Sequence, residues 1–178
     1  MRKIVLTYGF ISGLIVMLLS YFILWMNMDM ENMDTGMWIG YTIMVIALSI
    51  IFMAVKSFRD TNGNGQISFG KGFLIGLYIT LIAGCLYATA WEIYYRNDGG
   101  NFMDKYIEKY ENELRASGTT EAQINEELAK MNDMKESYKN PVIRFGFTLV
   151  EILPVGILIS LIAALLLKKN SLKTENLS

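Results

Sequence analysis

The stretch from Phe73 to Tyr94, FLIGLYITLIAGCLYATAWEIY, decides the fold of this chain. It contains a single charged side chain, Glu92, close to its end. A helix needs about 20 apolar residues to cross the roughly 30 Å hydrocarbon core of a bilayer. Because no water is present there to satisfy open backbone groups, this stretch predicts a membrane-spanning α-helix.

Three further stretches have a similar length and character: approximately Ile4 to Met26, Trp38 to Val55 and Phe145 to Leu167. The first follows Arg2 and Lys3, as the apolar region of a signal peptide would. Its apolar stretch is too long for a signal peptide, however, and no small-residue cleavage site follows it. We therefore expect an all-α integral membrane protein, a four-helix bundle whose spans are surrounded by the lipid bilayer.

The positions of lysine and arginine predict which way the spans face. Basic residues in short flanks all fall on one side of the predicted membrane: Arg2, Lys3, Lys56, Arg59, Lys71, Lys168, Lys169 and Lys173. The first loop, residues 27–37, carries only acidic charges. Short basic flanks stay in the cytoplasm, so both termini are expected there. Trp25, Trp38 and Trp91 fall at the opposite ends, where indole rings favour the headgroup level.

Residues 96–140 form a long polar insert that this topology places outside the cytoplasm. Apolar residues recur in it at helical spacing on both sides of Gly118. Gly118 suits a helix C-terminus, and Thr120 with Gln123 fits a capping box that opens a second helix. We therefore predict an extracytoplasmic αα-hairpin. Its apolar stripes either pack on each other, or part of them meets a partner protein or lies on the bilayer surface.

Small residues spaced by four mark the faces on which helices meet inside a membrane. They occur in three of the predicted spans: Gly9 and Gly13, Gly72 and Gly76, and Gly156, Ser160 and Ala164. We expect these residues to form contacts between the spans of one chain. Homo-oligomerisation is the rival use of the same pattern.

A charged residue at the centre of a span costs roughly 2.5 to 3.5 kcal/mol, so each one needs a physical reason. Glu92 and Arg144 lie near the outer ends of two antiparallel spans, where they could pair. Glu151 lies about 9 Å inside the fourth span at 1.5 Å per residue. The other spans carry hydroxyl groups at the same depth: Ser20, Tyr21, Tyr41, Thr42 and Tyr87. These could hold the Glu151 carboxyl in a small polar layer, as a structural element or as a proton or substrate site.

The chain has no histidine and one cysteine, Cys85. An intramolecular disulfide is therefore excluded, as are Ser-His and Cys-His nucleophile pairs and Cys/His zinc sites. A net charge of −1 provides no basic field for nucleic acid. The segment from Asp60 to Lys71 matches half of an EF-hand loop, but Lys71 replaces the bidentate glutamate that calcium needs. We predict a glycine–asparagine turn there, no metal, no cofactor and no enzymatic activity.

A scattered set of positions carries a family pattern from the second span to the fourth: Ser49, Phe52, Lys56, Arg59, Asp60, Ile67, Ser68, Phe69, Gly70, Gly76, Tyr87, Trp91, Tyr94, Asn140, Pro141, Glu151, Pro154, Gly156 and Ser160. In these positions the chain resembles a bacterial membrane family known as domain of unknown function 4199. The resemblance implies a four-span protein of the cytoplasmic (inner) membrane with an outer insert, and it implies no activity. It singles out Lys56, Arg59 and Asp60 of the cytoplasmic loop, together with Trp91 and Glu151, for mutation.

Two functions remain open from the sequence. The leading hypothesis is a non-enzymatic accessory or scaffold subunit that docks a protein partner through the hairpin, residues 96–140. The alternative is a small oligomeric transporter, or an ion- or proton-conducting protein, centred on Glu151. Four spans are few for a transporter, and no inverted repeat is evident, so an oligomer would be needed to enclose a pathway.

Overall fold

The computed structural model describes residues 1–25, 33–98 and 100–169. This description does not include most acidic residues of the predicted first loop, the side chain of Trp25, or any part of Lys173. The described chain folds into α-helices: α1 (Arg2–Trp25), α2 (Met33–Leu48), α3 (Ile50–Asn62), α4 (Phe69–Asn97), α5 (Phe102–Ala116), α6 (Glu121–Tyr138) and α7 (Pro141–Leu167).

Four helical segments are long and apolar enough to cross a membrane: Arg2–Ile23, Thr35–Asn62, Phe69–Asn97 and Pro141–Leu167. The predicted number and order of apolar helices are thus confirmed. The second segment is α2 joined directly to α3 at Ser49. The Ser49 hydroxyl donates to the Val45 carbonyl at 2.6 Å, and the Phe52 amide donates to the Ser49 carbonyl at 3.1 Å. The backbone hydrogen bond from Phe52 to Ser49 spans three residues instead of the four of a regular α-helix. It therefore tightens one helical turn without ending the helix.

The second segment extends further at its basic end than the sequence suggested. We expected the span to end at Val55. Three residues beyond it were expected to lie in a loop: Lys56, Arg59 and Asp60. Helix α3 instead continues to Asn62. The assignment of these three residues to a loop was therefore wrong. Lysine and arginine are good helix formers, so a helix that leaves an apolar region can continue through them. The end of an apolar stretch does not by itself end a helix.

The predicted glycine–asparagine turn follows α3 and is confirmed. Asn64 and Gly65 have φ angles of 50° and 80°, the left-handed region that these two residue types tolerate best. Beyond the turn, Ile67 and Lys169 exchange two backbone hydrogen bonds of 3.0 Å. The start of α4 is thereby tied to the end of α7.

Helix α1 packs along α4 through its small residues. Gly9 lies against Ile82, and Gly13 lies against Leu86. A Cβ atom on Gly13 would come within 3.2 Å of the α4 backbone at Ala83. The contacts advance in the same direction on both helices, so α1 and α4 run parallel.

Helix α7 packs along α4 in the opposite direction. Its contacts follow in antiparallel order: Ala164 with Gly72, Ser160 with Gly76, Gly156 with Thr80, and Ile152 with Gly84. All three predicted sets of small residues therefore meet other helices of the same chain, as expected.

Helices α2 and α3 complete the apolar core. The Ser12 hydroxyl of α1 donates to the Ala47 carbonyl of α2 at 2.8 Å. Ile51 of α3 lies beside Gly76 of α4. Large core side chains with almost no exposed surface come from all of the apolar helices: Val16, Met44, Leu48, Ile51, Ile75, Ile79 and Ile152. We refer to α1–α4 and α7 together as the helical body.

Helices α5 and α6 pack on each other as a hairpin that continues from the end of α4. Gly118, with φ of 76°, follows the end of α5, and the Gln123 side chain accepts from the Thr120 amide at 3.4 Å. Three apolar side chains are buried in the hairpin: Met103, Ile124 and Met131. Two ion pairs link its helices: Arg115–Glu121 at 2.5 Å, and Lys135–Asp104. Part of the apolar stripe is therefore used inside the hairpin.

We expect Gly156→Ala in α7 to lower the free energy of unfolding by about 1–3 kcal/mol, the usual cost of overpacking. The added Cβ would lie 2.7 Å from the Thr80 Cβ, which cannot rotate away. Gly146→Ala in the same helix is the matched control, because its Cβ would meet nothing within 4 Å. Denaturation of the purified protein in detergent, followed by circular dichroism, measures both. Equal stability of the two variants would contradict the contact between α4 and α7.

Candidate functional site

The hairpin joins the helical body at a compact polar and aromatic cluster, which we call the hairpin foot. It consists of Trp91, Glu92 and Tyr95 of α4, Tyr138 at the end of α6, and Arg144 of α7. Three helices thus contribute to one site, at the end of α4 opposite the glycine–asparagine turn.

Arg144 is the centre of the hairpin foot and is only 4% exposed. Its Nε and Nη2 atoms donate to the two carboxylate oxygens of Glu92 at 2.7 and 2.8 Å. Its Nη1 atom donates to the backbone carbonyl of Tyr138 at 2.6 Å. The pair that the sequence suggested does form, and such a two-pronged arginine–carboxylate contact is strong and directional. The contact with Tyr138 was not predicted.

The short link between α6 and α7 explains how Arg144 reaches the carbonyl group. Tyr138 is the last residue of α6, and only Lys139 and Asn140 separate it from α7. The Asn140 side chain accepts from the Val142 amide at 2.9 Å and so starts α7 at once. Arg144 therefore lies one turn into α7, beside carbonyl groups that lack helical partners and carry the negative end of the α6 dipole.

Aromatic rings enclose the ion pair. The Arg144 guanidinium lies 4.0 Å from the centre of the Tyr95 ring, a favourable cation–π distance. The Trp91 indole N–H donates to the Tyr138 hydroxyl at 2.7 Å. Phe102, the first residue of α5, meets the Trp91 ring edge to face at 4.9 Å. Both helices of the hairpin are therefore anchored on Trp91.

Electrostatics distinguish the inside of the hairpin foot from its rim. Burial raises the pKa of Tyr138 to about 12, although the Trp91 hydrogen bond and the Arg144 charge act in the opposite direction. The Tyr138 hydroxyl therefore remains neutral at physiological pH. At the rim, Arg96 donates to Glu92 at 2.8 Å, but its side chain is 71% exposed. Glu92 thus has one buried and one solvated cationic partner.

The polar layer that we predicted around Glu151 does not form as a hydrogen-bonded group. Glu151 is exposed on α7, and in the part of the chain that the structure describes no side chain donates a hydrogen bond to its carboxylate. The Tyr87 hydroxyl lies within electrostatic reach of Glu151, as does the Tyr138 hydroxyl of the hairpin foot. Tyr21 donates instead to the Ala90 carbonyl at 3.0 Å, and Tyr41 is exposed. The prediction was wrong for Tyr21 and Tyr41 because equal depth does not give equal direction. Each residue turns a side chain by about 100° around its own helix.

The remaining predicted residues, Lys56, Arg59 and Asp60, lie on α3 away from the hairpin foot. Arg59 donates to Asp60 at 2.8 Å, and both side chains are partly or fully exposed. The structure therefore brings Glu92 and Arg144 together and leaves the α3 residues apart from them. Glu151 lies within electrostatic reach of Tyr138 but forms no hydrogen bond with the hairpin foot. Within residues 1–25, 33–98 and 100–169, no three His, Cys, Asp or Glu side chains form a group that could hold a metal ion.

We expect Arg144→Met to lower the free energy of unfolding by about 3–5 kcal/mol, since it leaves the Glu92 carboxylate without its buried partner. Arg96→Met is the matched control, because this arginine bonds the same carboxylate from solvent and is worth no more than about 1 kcal/mol. The double variant Glu92→Met/Arg144→Met should recover part of the loss. Chemical denaturation in detergent measures all three, and equal effects of the two arginines would refute a buried ionic centre.

The comparison with known proteins adds the family. A family model described as "Protein of unknown function (DUF4199)" matches residues 7–169. No curated protein and no solved structure matches the chain. The match covers nearly the whole sequence, from within α1 to just beyond the end of α7, and it includes the entire hairpin. The protein therefore belongs to the DUF4199 family of proteins of unknown function.

Proposed function

We propose that the protein is a non-enzymatic accessory or scaffold subunit of the bacterial cytoplasmic membrane, and that its hairpin docks a protein partner outside the cytoplasm. The hairpin foot is the observation that carries this proposal. Because the buried Arg144 binds α4 and α6 from α7, the hairpin is held in one orientation relative to the helical body.

In this proposal the helical body is a four-helix bundle within the bilayer, with both termini in the cytoplasm. The apolar length of its four helical segments supports the membrane location. Lys71 and Lys169 lie at the end of the body that carries the turn, and the hairpin extends from the other end. The positive-inside rule then supports a cytoplasmic turn and an external hairpin.

The outer surface of the hairpin offers features that a protein partner can use. Tyr106 of α5 and Met134 of α6 are 37% and 42% exposed. Both lie within two residues of the Lys135–Asp104 ion pair, so they are exposed at the same level of the hairpin. Tyrosine and methionine are enriched at protein interfaces. A platform that is already rigid also loses little conformational entropy when it binds.

Conduction centred on Glu151 has less support. The Glu151 side chain is exposed on α7 instead of facing the core. That alternative therefore needs several copies to enclose a pathway around Glu151, whereas the hairpin foot is complete within one copy. Docking through the hairpin remains the function that the geometry supports best.

A photocrosslinking residue in place of Tyr106 tests the docking function in intact cells. We expect a crosslinked partner of defined mass. Without any crosslinker, co-purification of that partner should be lost when a short Gly/Ser linker replaces residues 100–139. The same residue in place of Met53, which is 61% exposed on α3, is the control and should not capture that partner. Capture of the same partner by full-length and hairpin-deleted protein from a body position would contradict docking through the hairpin.

Sidedness is checked with the same cells and a membrane-impermeant thiol reagent, in a Cys85→Ser background. Thr119→Cys at the hairpin tip should be labelled from outside, and Lys71→Cys should be labelled only after the membrane is opened. The reverse pattern would place the hairpin in the cytoplasm and overturn this part of the proposal.

A further inference from the structure

The exposed face of α7 carries a stripe with the spacing of a helix–helix contact. Its positions are separated alternately by four and three residues: Phe147, Glu151, Pro154, Leu158, Leu161 and Leu165. All of them are exposed except Leu161, which is half-buried. A repeat of 3.5 residues is the spacing with which two helices pack side by side over their length.

This stripe is separate from the face that α7 turns to its own chain. Gly156, Ser160 and Ala164 are buried against α4. The small-residue face is therefore occupied and is not available to a second copy. The stripe remains open along most of the helix.

Glu151 makes this face different from the other exposed apolar faces. Helix α1 exposes Phe10, Leu14 and Leu18, and lipid tails can cover such a surface without penalty. A carboxyl group among apolar side chains is costly in lipid unless it finds a hydrogen-bond partner. The Tyr87 and Tyr138 hydroxyls lie within electrostatic reach of Glu151, but no described side chain donates a hydrogen bond to its carboxylate. In helix–helix contacts, a single polar residue within an apolar seam fixes the register and the number of chains.

We propose that the protein forms a parallel homodimer through the α7 stripe, in which the Glu151 carboxyls of the two copies hydrogen bond to each other. Two copies inserted with the same topology have parallel α7 helices. A two-fold axis along the membrane normal then places each stripe position opposite itself. A protonated carboxyl is both a donor and an acceptor, so Glu151 is its own complement.

Cysteine crosslinking of the purified protein in lipid vesicles tests the stripe directly, in a Cys85→Ser background. Leu165 and Leu166 are adjacent in α7 and are 51% and 72% exposed, but only Leu165 lies on the stripe. Leu165→Cys should form a disulfide-linked dimer on oxidation, and Leu166→Cys should not. Leu18→Cys, 63% exposed on α1, is a second negative control. Equal crosslinking at these positions, or none at Leu165, would overturn the proposal.

Variants of Glu151 test the polar contact itself, with energy transfer between labelled copies as the readout. Glu151→Gln keeps a donor and an acceptor and should dimerise like the wild type. Glu151→Leu should weaken dimerisation by about 5- to 30-fold, which corresponds to the roughly 1–2 kcal/mol of a hydrogen bond between helices in a membrane. Wild-type affinity in Glu151→Leu would show that the carboxyls do not pair.

A charge exchange separates self-association from capture of another membrane protein. Glu151→Lys alone should fail to dimerise, and an equal mixture with wild type should form mixed dimers. The lipid vesicles used for these measurements contain only the purified protein, so association in them is self-association. If the wild type stays monomeric at every protein-to-lipid ratio, the second copy is not the occupant of the stripe.

Discussion

The close approach of α4 and α7 is the constraint on which the rest of this structure depends. Gly156 of α7 lies against Thr80 of α4 with no room for another carbon atom. Lipid tails are as apolar as leucine, so helices in a membrane gain little from burying apolar side chains and associate through such close packing. The register of this contact then determines both ends of the pair. It places Glu92 opposite Arg144 at one end. At the other end it places the residues that follow the glycine–asparagine turn beside the end of α7.

Arg144 connects that register to the hairpin. Its donors are divided between the Glu92 carboxylate and the Tyr138 carbonyl, and the Tyr95 ring covers one face of the guanidinium. A buried arginine is tolerated only when its charge and its N–H groups are satisfied in this way. The Arg144 side chain, which pairs with Glu92 of α4, therefore also binds the end of α6. These contacts restrict the orientation of the hairpin relative to the helical body, as the proposed docking role requires.

Features that depend on the chemistry of a residue and its sequence neighbours could be predicted from the sequence. Features that depend on the direction in which a side chain points could not. Apolar length predicted the four long helices, and the opposite charges of Glu92 and Arg144 at similar depth suggested their pairing. Depth says nothing about the direction in which a side chain points, which is why Tyr21 and Tyr41 do not join Glu151 in the predicted polar layer. The bond to Tyr138 uses a backbone carbonyl, which has no signature in a sequence. Lys56 lies within α3, which shows that a helix can continue beyond the end of an apolar stretch.

The register of α4 against α7 can be measured directly by an engineered disulfide in the purified protein, in a Cys85→Ser background. A Cβ atom on Gly72 would lie 3.3 Å from the Cβ of Ala164, close to the separation of a natural disulfide. We expect rapid oxidation of Gly72→Cys/Ala164→Cys within one chain. We expect no disulfide in Gly72→Cys/Ser160→Cys, in which the second cysteine is displaced by about one helical turn. Preferential oxidation of the displaced pair would contradict the register and everything that follows from it.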